Sequence, residues 1–171
     1  MRKFVLMAAL AAASVASPAF AGPYTATAIA KGTILQSLEL VKQSDLDFGT
    51  IAPDFTRSDT VTIDPNNGAR TSLNNYVVML PGAFSAASFD GYGTAGNTVQ
   101  LTLGQPASGM ISNGTKNIAT TLRMDSTSSA GTIVIPVGGK FTVSVGGDFV
   151  IGANQQSGLY QAQFNLTANY Q

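Results

Sequence analysis

Residue types that usually carry catalysis are scarce in this chain. The 171 residues include no histidine and no cysteine, which excludes imidazole or thiolate zinc sites, Ser-His-Asp triads and thiol nucleophiles. The Asp-Phe-Gly triplet at 47–49 matches a magnesium-holding motif of kinases, but the companion kinase motifs are missing. The Gly-rich run at 91–96 imitates a dinucleotide-binding loop, but no predicted helix follows it. We therefore expect no enzyme and no cofactor.

One turn, Asp64–Gly68, offers side-chain oxygens that could hold a cation. Its Asp, Asn and Gly residues would suit weak calcium binding, although the spacing matches no EF-hand. The same residue types are favoured in turns for conformational reasons. The sequence leaves calcium at this turn open.

The N-terminal residues predict export. Arg2 and Lys3 precede an apolar stretch, Phe4–Val15, that is too short to span a bilayer, and Ala19–Ala21 has the small-x-small form of a cleavage site. We expect residues 1–21 to be a signal peptide and 22–171 to form a single domain with no stable membrane span. The predicted location is the periplasm, the cell surface or the extracellular medium.

Charge argues against nucleic acid as a partner. The chain has 9 Lys and Arg residues against 9 Asp and Glu residues, and cleavage after residue 21 would remove two of the positive charges. A basic footprint for nucleic acid or for an anionic membrane is therefore excluded.

Alternation of apolar and polar residues predicts strands throughout the predicted mature chain. Short strands separated by Gly, Pro and Asn turns favour an antiparallel, immunoglobulin-like β-sandwich of about nine or ten strands. The stretch 34–41 also fits a helix, but its β context favours a strand. The approximate strand limits are 24–31, 34–41, 46–51, 60–64, 75–80, 83–89, 98–103, 118–124, 132–137, 140–151 and 159–170, some of which should merge or prove to be loops.

Two glycine pairs predict how the chain turns near its C-terminal third. Gly138-Gly139 fits a two-residue hairpin between 132–137 and 140–145, since both positions of such a turn can need positive φ. Gly146-Gly147 interrupts an alternating run, which favours a bulge or bend in one strand.

The C-terminal segment has the most specific pattern in the chain. It predicts a single amphipathic strand, because apolar and polar residues alternate from 160 to 171. Gly158 precedes this strand and stands fourteenth from the end of the given sequence, and Tyr170 is penultimate. The predicted apolar face consists of Tyr160, Ala162, Phe164, Leu166, Ala168 and Tyr170.

This C-terminal arrangement resembles that of the structural subunits of chaperone-usher pili. The resemblance covers the last fourteen residues and implies that Gly158, Tyr160, Phe164, Leu166 and Tyr170 belong to an assembly strand. It implies two partners, a periplasmic chaperone and a second subunit whose N-terminal extension completes the sandwich. Many pilins carry a disulfide, which this chain cannot form.

Essentially the whole predicted mature chain is similar to an uncharacterised family of secreted bacterial β-sandwich domains. That similarity rests on three stretches, Thr25–Ala28, Leu46–Thr50 and Gly158–Tyr160 leading to Asn169-Tyr170.

The residues after the predicted signal peptide could form a donated strand. Such a strand pairs through its backbone and fills successive pockets with alternate side chains. The same residues could equally form the first strand of their own sheet. The row of alternate residues is Tyr24, Ala26, Ala28, Ala30, Gly32 and Ile34.

We therefore predict a non-catalytic structural or adhesive subunit of a bacterial surface assembly, similar to a pilus or fimbria and joined by strand donation. The predicted partners are other subunits or a periplasmic chaperone, both bound by β-strand pairing. The alternative is a monomeric secreted module that binds a ligand or glycan through loop aromatics such as Tyr92, Phe55 or Tyr76.

Overall fold

The computed structural model describes Gly22 and residues 24–106, 109–112, 116–128 and 130–171. The chain divides into two units, residues up to Thr33 and Ile34–Gln171. The described residues of the first unit form no strand, and every strand lies in the second. The predicted signal peptide at 1–21 lies outside the described residues.

The second unit is built only from strands. The described residues contain no helix, and therefore none that is long and apolar enough to cross a membrane. The thirteen strands formed by these residues are β1 (Glu39–Ser44), β2 (Ile51–Ala52), β3 (Asp59–Ile63), β4 (Arg70–Ser72), β5 (Val78–Met79), β6 (Ala87–Tyr92), β7 (Thr98–Leu103), β8 (Met110–Ser112), β9 (Lys116–Met124), β10 (Thr132–Val134), β11 (Lys140–Ile151), β12 (Tyr160–Gln161) and β13 (Leu166–Tyr170).

The strands form one large sheet and two small ones. The large sheet has the order β1-β6-β11-β9-β8-β12, with β3 pairing β11 and β4 pairing β3. A three-stranded sheet has the order β10-β7-β13, and β2 pairs β5 in a third. Every strand pair is antiparallel, so the predicted all-β antiparallel class is confirmed.

The core lies between the large sheet and the two small ones, in the manner of a sandwich. Val99 and Leu101 of the three-stranded sheet pack in one cluster with Phe141 and Val143 of β11. Another cluster, under the β2-β5 sheet, includes Phe48, Val61 and Ile63 of the 48–63 region and Phe149 of β11. Buried side chains alternate with less buried ones along β11. Because they enter both clusters, this one strand connects the two parts of the core.

Strand β11 has a different neighbour at each end of one edge. Residues 140–145 pair β6, residues 147–151 pair β3, and the opposite edge pairs β9 without a shift from Val145 to Val150. A bulge at Gly146-Gly147 is therefore excluded, whereas the prediction that the chain does not reverse there is confirmed, because β11 runs unbroken through both glycines. Glycine is needed there because a Cβ at Gly146 would collide with the Ile63 and Pro65 backbone.

The predicted hairpin at Gly138-Gly139 is also wrong. The two glycines have φ angles of 105° and 75°, so the chain does turn. However, β10 pairs β7 and β11 pairs β6. The turn carries the chain from one sheet to the other, a connection that local glycine content cannot distinguish from a hairpin.

Several strand limits differ from prediction. No strand forms at 24–31, and the predicted 34–41 strand begins only at Glu39, in a region with no helix. Alanine and glycine in this stretch bury little apolar area, which removes the usual driving force for a strand. Strands β4 and β8 were not predicted, and the predicted 159–170 strand divides into β12 and β13.

Candidate functional site

The backbone of β13 is paired on one edge only. In this stretch Asn165 O accepts a hydrogen bond from Gly104 at 2.8 Å, and Gln171 N donates to Thr98 O at 3.1 Å. Odd-numbered residues therefore direct their backbone groups toward β7, and Leu166, Ala168 and Tyr170 direct theirs outward. No described strand pairs these outward groups, which we call the free edge.

Side chains of β13 alternate as the sequence predicted. Leu166, Ala168 and Tyr170 are half-buried against the cluster around Val99 and Phe141, whereas Thr167 and Asn169 are exposed. The free edge therefore borders apolar core on one face. A strand added there would find unpaired backbone groups beside apolar side chains.

The predicted assembly strand is not one continuous surface. Tyr160 belongs to β12, which pairs β8 of the large sheet, and its ring packs edge-on to Phe149 at 6.3 Å. Phe164 lies between β12 and β13 and packs edge-on to Phe89 at 6.1 Å. Alternation alone could not show this division, because residues 162–165 keep the alternating pattern without forming a strand.

Tyr170 closes one end of the free edge. Its hydroxyl donates to Gln36 O at 2.9 Å and accepts a hydrogen bond from Thr94 N at 2.7 Å. Gln36 N in turn donates to Thr94 Oγ1 at 2.7 Å. The penultimate tyrosine thus joins β13 to the β6-β7 loop and to the segment that precedes β1.

A pocket of about 560 Å³ opens beside the start of the C-terminal segment. Its two walls are residues 46–53 and 155–162, which include Gly158. Ile118, Phe149 and Ile151 of β9 and β11 complete the lining. We call it the Gly158 pocket. Residues 163–165 connect its second wall to β13 in the sequence.

The first wall of the Gly158 pocket is held by side-chain contacts. Phe48 stacks on Phe149 with ring centroids 4.9 Å apart. The Arg70 guanidinium donates to Phe48 O at 3.0 Å and to Leu80 O at 2.9 Å. Gly49 has a φ of 72°, so within the Asp-Phe-Gly triplet the backbone turns directly after the buried Phe48.

The second wall is tied together by Tyr160. Its hydroxyl accepts a hydrogen bond from Gln155 Nε2 and donates to Gln156 O, both at 2.7 Å. Leu159 beside it is 71% exposed. Asp47 is the one charged residue in the described lining, which combines apolar side chains with Thr50, Ser157 and three glutamines. The pocket therefore suits an occupant that has both apolar and hydrogen-bonding groups.

The predicted donor residues belong to no strand of the structure. Tyr24 is 93% exposed and Ile34 is 98% exposed, and all residues between them are exposed. Ile29 is 84% exposed and belongs to the opposite row. The predicted row omits Ile29 because its neighbours in the opposite row are polar, namely Thr25, Thr27, Lys31 and Thr33.

Three loop aromatics that the sequence offered for a glycan do not come together. Tyr92 ends β6, and its ring lies 5.8 Å from Lys140 Nζ at the start of β11. Phe55 and Tyr76 lie in the loops that flank the β2-β5 sheet, near the end of β11. Of the three, Phe55 and Tyr76 can contribute to one surface, and Tyr92 cannot.

The Asp64–Gly68 turn forms internal hydrogen bonds. Asp64 Oδ1 accepts from Asn66 N and Asn66 Nδ2, both at 2.9 Å, and the pKa of Asp64 lies below its usual range chiefly because of the first bond. No three Asp or Glu residues cluster as metal ligands within the part of the chain that the structure describes.

Together these features define an all-β sandwich with one free strand edge and a pocket lined in part by the start of the C-terminal segment. The chain belongs to the DUF4402 family, a domain of unknown function, whose model matches residues 38–170. The match includes every strand from β1 to β13. No curated protein and no solved structure matches the chain.

Proposed function

We propose that this protein is an exported, non-catalytic structural or adhesive subunit of a bacterial surface assembly, in which a second copy donates a strand. The observation that supports this most is the free edge of β13, together with the Gly158 pocket, whose lining includes the start of the same C-terminal segment. Both features belong to the same C-terminal segment, so one extended chain could use both.

Physical chemistry favours a strand as the occupant of the free edge. The outward N–H and C=O groups of β13 lie in the pattern that an added strand would pair. An edge of this kind associates with other strands unless it is covered or charged. Leu166, Ala168 and Tyr170 carry no charge, and this edge therefore lacks the usual protection.

Residues 24–34 have the properties of a donor. They are exposed, form no strand and contain Lys31 as their single charged residue. Their small side chains would let the backbone approach the edge closely, while Tyr24, Ile29 and Ile34 supply apolar area. In the proposed assembly, the segment of one copy enters the groove of the next.

A periplasmic chaperone would use the same edge before assembly. A strand from any partner satisfies the same backbone groups, so chaperone and donor segment would compete. This partner follows from the resemblance of the C-terminal segment to that of pilins, and competition between a chaperone and the donor peptide tests it.

The decisive experiment blocks the donor in the full mature chain. The variant Ala28→Pro/Ala30→Pro removes two backbone N–H groups from the donor, whereas Ala28→Ser/Ala30→Ser keeps them. We expect the wild type and the serine variant to form polymers, seen by light scattering and electron microscopy. The proline variant should remain monomeric, with an unchanged circular dichroism spectrum.

A synthetic peptide of residues 22–34 provides the second half of the test. It should bind the proline variant and raise its melting temperature in proportion to the logarithm of peptide concentration. A scrambled peptide should not. A monomeric wild type at high concentration, together with no shift on adding the peptide, would contradict the proposal.

Export is tested separately. Mass spectrometry of the protein from the producing bacterium should find an N-terminus at or close to Gly22. Recovery of the Met1 form outside the cell would contradict the predicted cleavage.

A further inference from the structure

Two loops beside the β2-β5 sheet, together with Val78 of β5, present large apolar side chains to solvent. Phe55 is 77% exposed, Val78 is 63% exposed and Tyr76 is 37% exposed. Since Ala52 pairs Val78, the loop that follows β2 and the loop that precedes β5 are neighbours. We call Phe55, Arg57, Tyr76 and Val78 the loop platform.

A carboxylate fixes each of the two loops. Asp54 Oδ1 accepts hydrogen bonds from Thr56 N and Arg57 N, both at 2.8 Å. Asp59 is 2% exposed, and its carboxylate accepts from Tyr76 N at 2.8 Å. The apolar side chains are therefore presented by prearranged backbone, which reduces the entropy cost of binding a ligand.

Arg57 joins the two loops and leaves the platform nearly neutral. Its guanidinium lies 4.1 Å from the Tyr76 ring centroid and binds Asp54 Oδ2 at 3.0 Å. The positive charge of Arg57 is thus paired with the neighbouring Asp54 carboxylate, so the surface offers no excess charge to an ionic partner. A neutral ligand suits it best.

The available groups suit a sugar. A pyranose ring has one face of weakly polar C–H groups, which stacks on the electron-rich face of an aromatic ring such as Phe55. Its hydroxyls need donors and acceptors close by, and Asn74 and Asn75 are both exposed beside Tyr76. Arg57 can donate to hydroxyls as well.

The size of the platform argues for a small ligand. A stable protein interface buries about 800 Å² on each partner, from about 20 to 30 residues. Three large apolar side chains and one arginine are fewer than such an interface uses. They match the footprint of a short oligosaccharide.

We propose that the loop platform binds a neutral oligosaccharide, with Phe55 as the main stacking residue. This activity is separate from strand donation, because no platform residue lines the Gly158 pocket or belongs to β13. The subunit could therefore bind glycan in the free and in the assembled form.

An array of immobilised oligosaccharides, both neutral and sialylated, tests this proposal. The mature protein carrying Ala28→Pro/Ala30→Pro is used, so that differences in assembly do not alter avidity. We expect binding to neutral glycans, with Phe55→Ala lowering the apparent affinity about ten-fold or more. Val137→Ala, which truncates a fully exposed apolar side chain elsewhere, should leave binding unchanged.

Other outcomes would overturn the proposal. Absence of binding to any glycan on the array, equal binding by Phe55→Ala, or equal loss with Val137→Ala would each reject the platform as a sugar site. If the intact platform binds no glycan on the array and Phe55→Ala, introduced into the wild type, reduces self-association in light scattering, the platform is a contact between copies of the chain. Unchanged circular dichroism verifies that Phe55→Ala remains folded.

Discussion

The hydroxyl of Tyr170 donates a hydrogen bond to the carbonyl of Gln36 at 2.9 Å, across 134 positions of sequence. The contact links the last strand to the segment before β1. It places the attachment of the predicted donor close to one end of the free edge. The Gly158 pocket lies toward the other end of the same segment. In the proposed assembly, the attachment of the donor and the acceptor pocket would thus be separated, as a head-to-tail arrangement needs.

Tyr170→Phe should weaken this connection without creating a large cavity. The variant keeps the ring against the cluster around Val99 but loses the hydrogen bonds to Gln36 and Thr94. We expect the free energy of unfolding to fall by about 1 to 3 kcal/mol, from two hydrogen bonds. Urea unfolding measures it, and Tyr24→Phe, at a residue that is 93% exposed, is the control.

Local patterns predicted the strands that pair along their whole length. The limits of β7 at 98–103 and β11 at 140–151 match prediction, because strict alternation reflects a sheet with one buried face. The same patterns could not give strand partners. Gly138-Gly139 illustrates this, since a turn within a sheet and a turn between sheets need the same positive φ.

The candidate site was only partly visible in the sequence. Alternation identified Leu166, Ala168 and Tyr170 as an apolar row, but an unpaired edge depends on the three-dimensional neighbours of β13. The Gly158 pocket was missed because its walls come from residues about a hundred positions apart. The apolar residues at 149 and 151 were its one local signal.

Phe164→Ala should destabilise the domain by removing a half-buried ring. Phe164 packs with Phe89 and with the cluster around Val145. Full truncation of a buried phenylalanine costs about 3 to 5 kcal/mol, and partial exposure reduces the expected loss to about 2 to 3 kcal/mol. Asn165→Ala, at an exposed neighbour, should cost little. Equal losses in urea unfolding would contradict the assigned packing.

Gly146→Ala should be far more harmful than Gly104→Ala. A Cβ at Gly146 would overlap the backbone of Ile63 and Pro65, whereas one at Gly104 would lie at ordinary contact distance, 3.4 Å from Asn165 O. We expect Gly146→Ala to lower the melting temperature sharply or prevent folding. Gly104→Ala should retain the wild-type circular dichroism spectrum and melt close to it. Similar melting of the two variants would show that β3 can move away from β11.

Asp59 should make stability depend on pH. Burial raises the pKa of Asp59, but hydrogen bonds from the Ser72 hydroxyl and from the N–H groups of Asn74 and Tyr76 together lower it by more. The pKa of Asp59 therefore lies below its usual range. A carboxyl whose pKa is lowered by folding stabilises the native state above its unfolded pKa of about 3.9. This stabilisation declines as the pH falls below about 5 and continues to decline toward the lower folded pKa.

Asp59→Asn tests that dependence, because it replaces an acceptor oxygen with a donor and removes the titrating group. We expect the variant to lose at least about 2 kcal/mol at pH 7, since buried N–H groups lose a charged acceptor. The difference from wild type should shrink between about pH 5 and pH 3, as protonation weakens the same bonds in the wild type. Asp45→Asn, at a side chain that is 78% exposed, serves as the control, and urea unfolding across this pH range measures all three proteins. A constant difference between wild type and Asp59→Asn would mean that the Asp59 carboxylate does not hold the 72–77 loop through its charge.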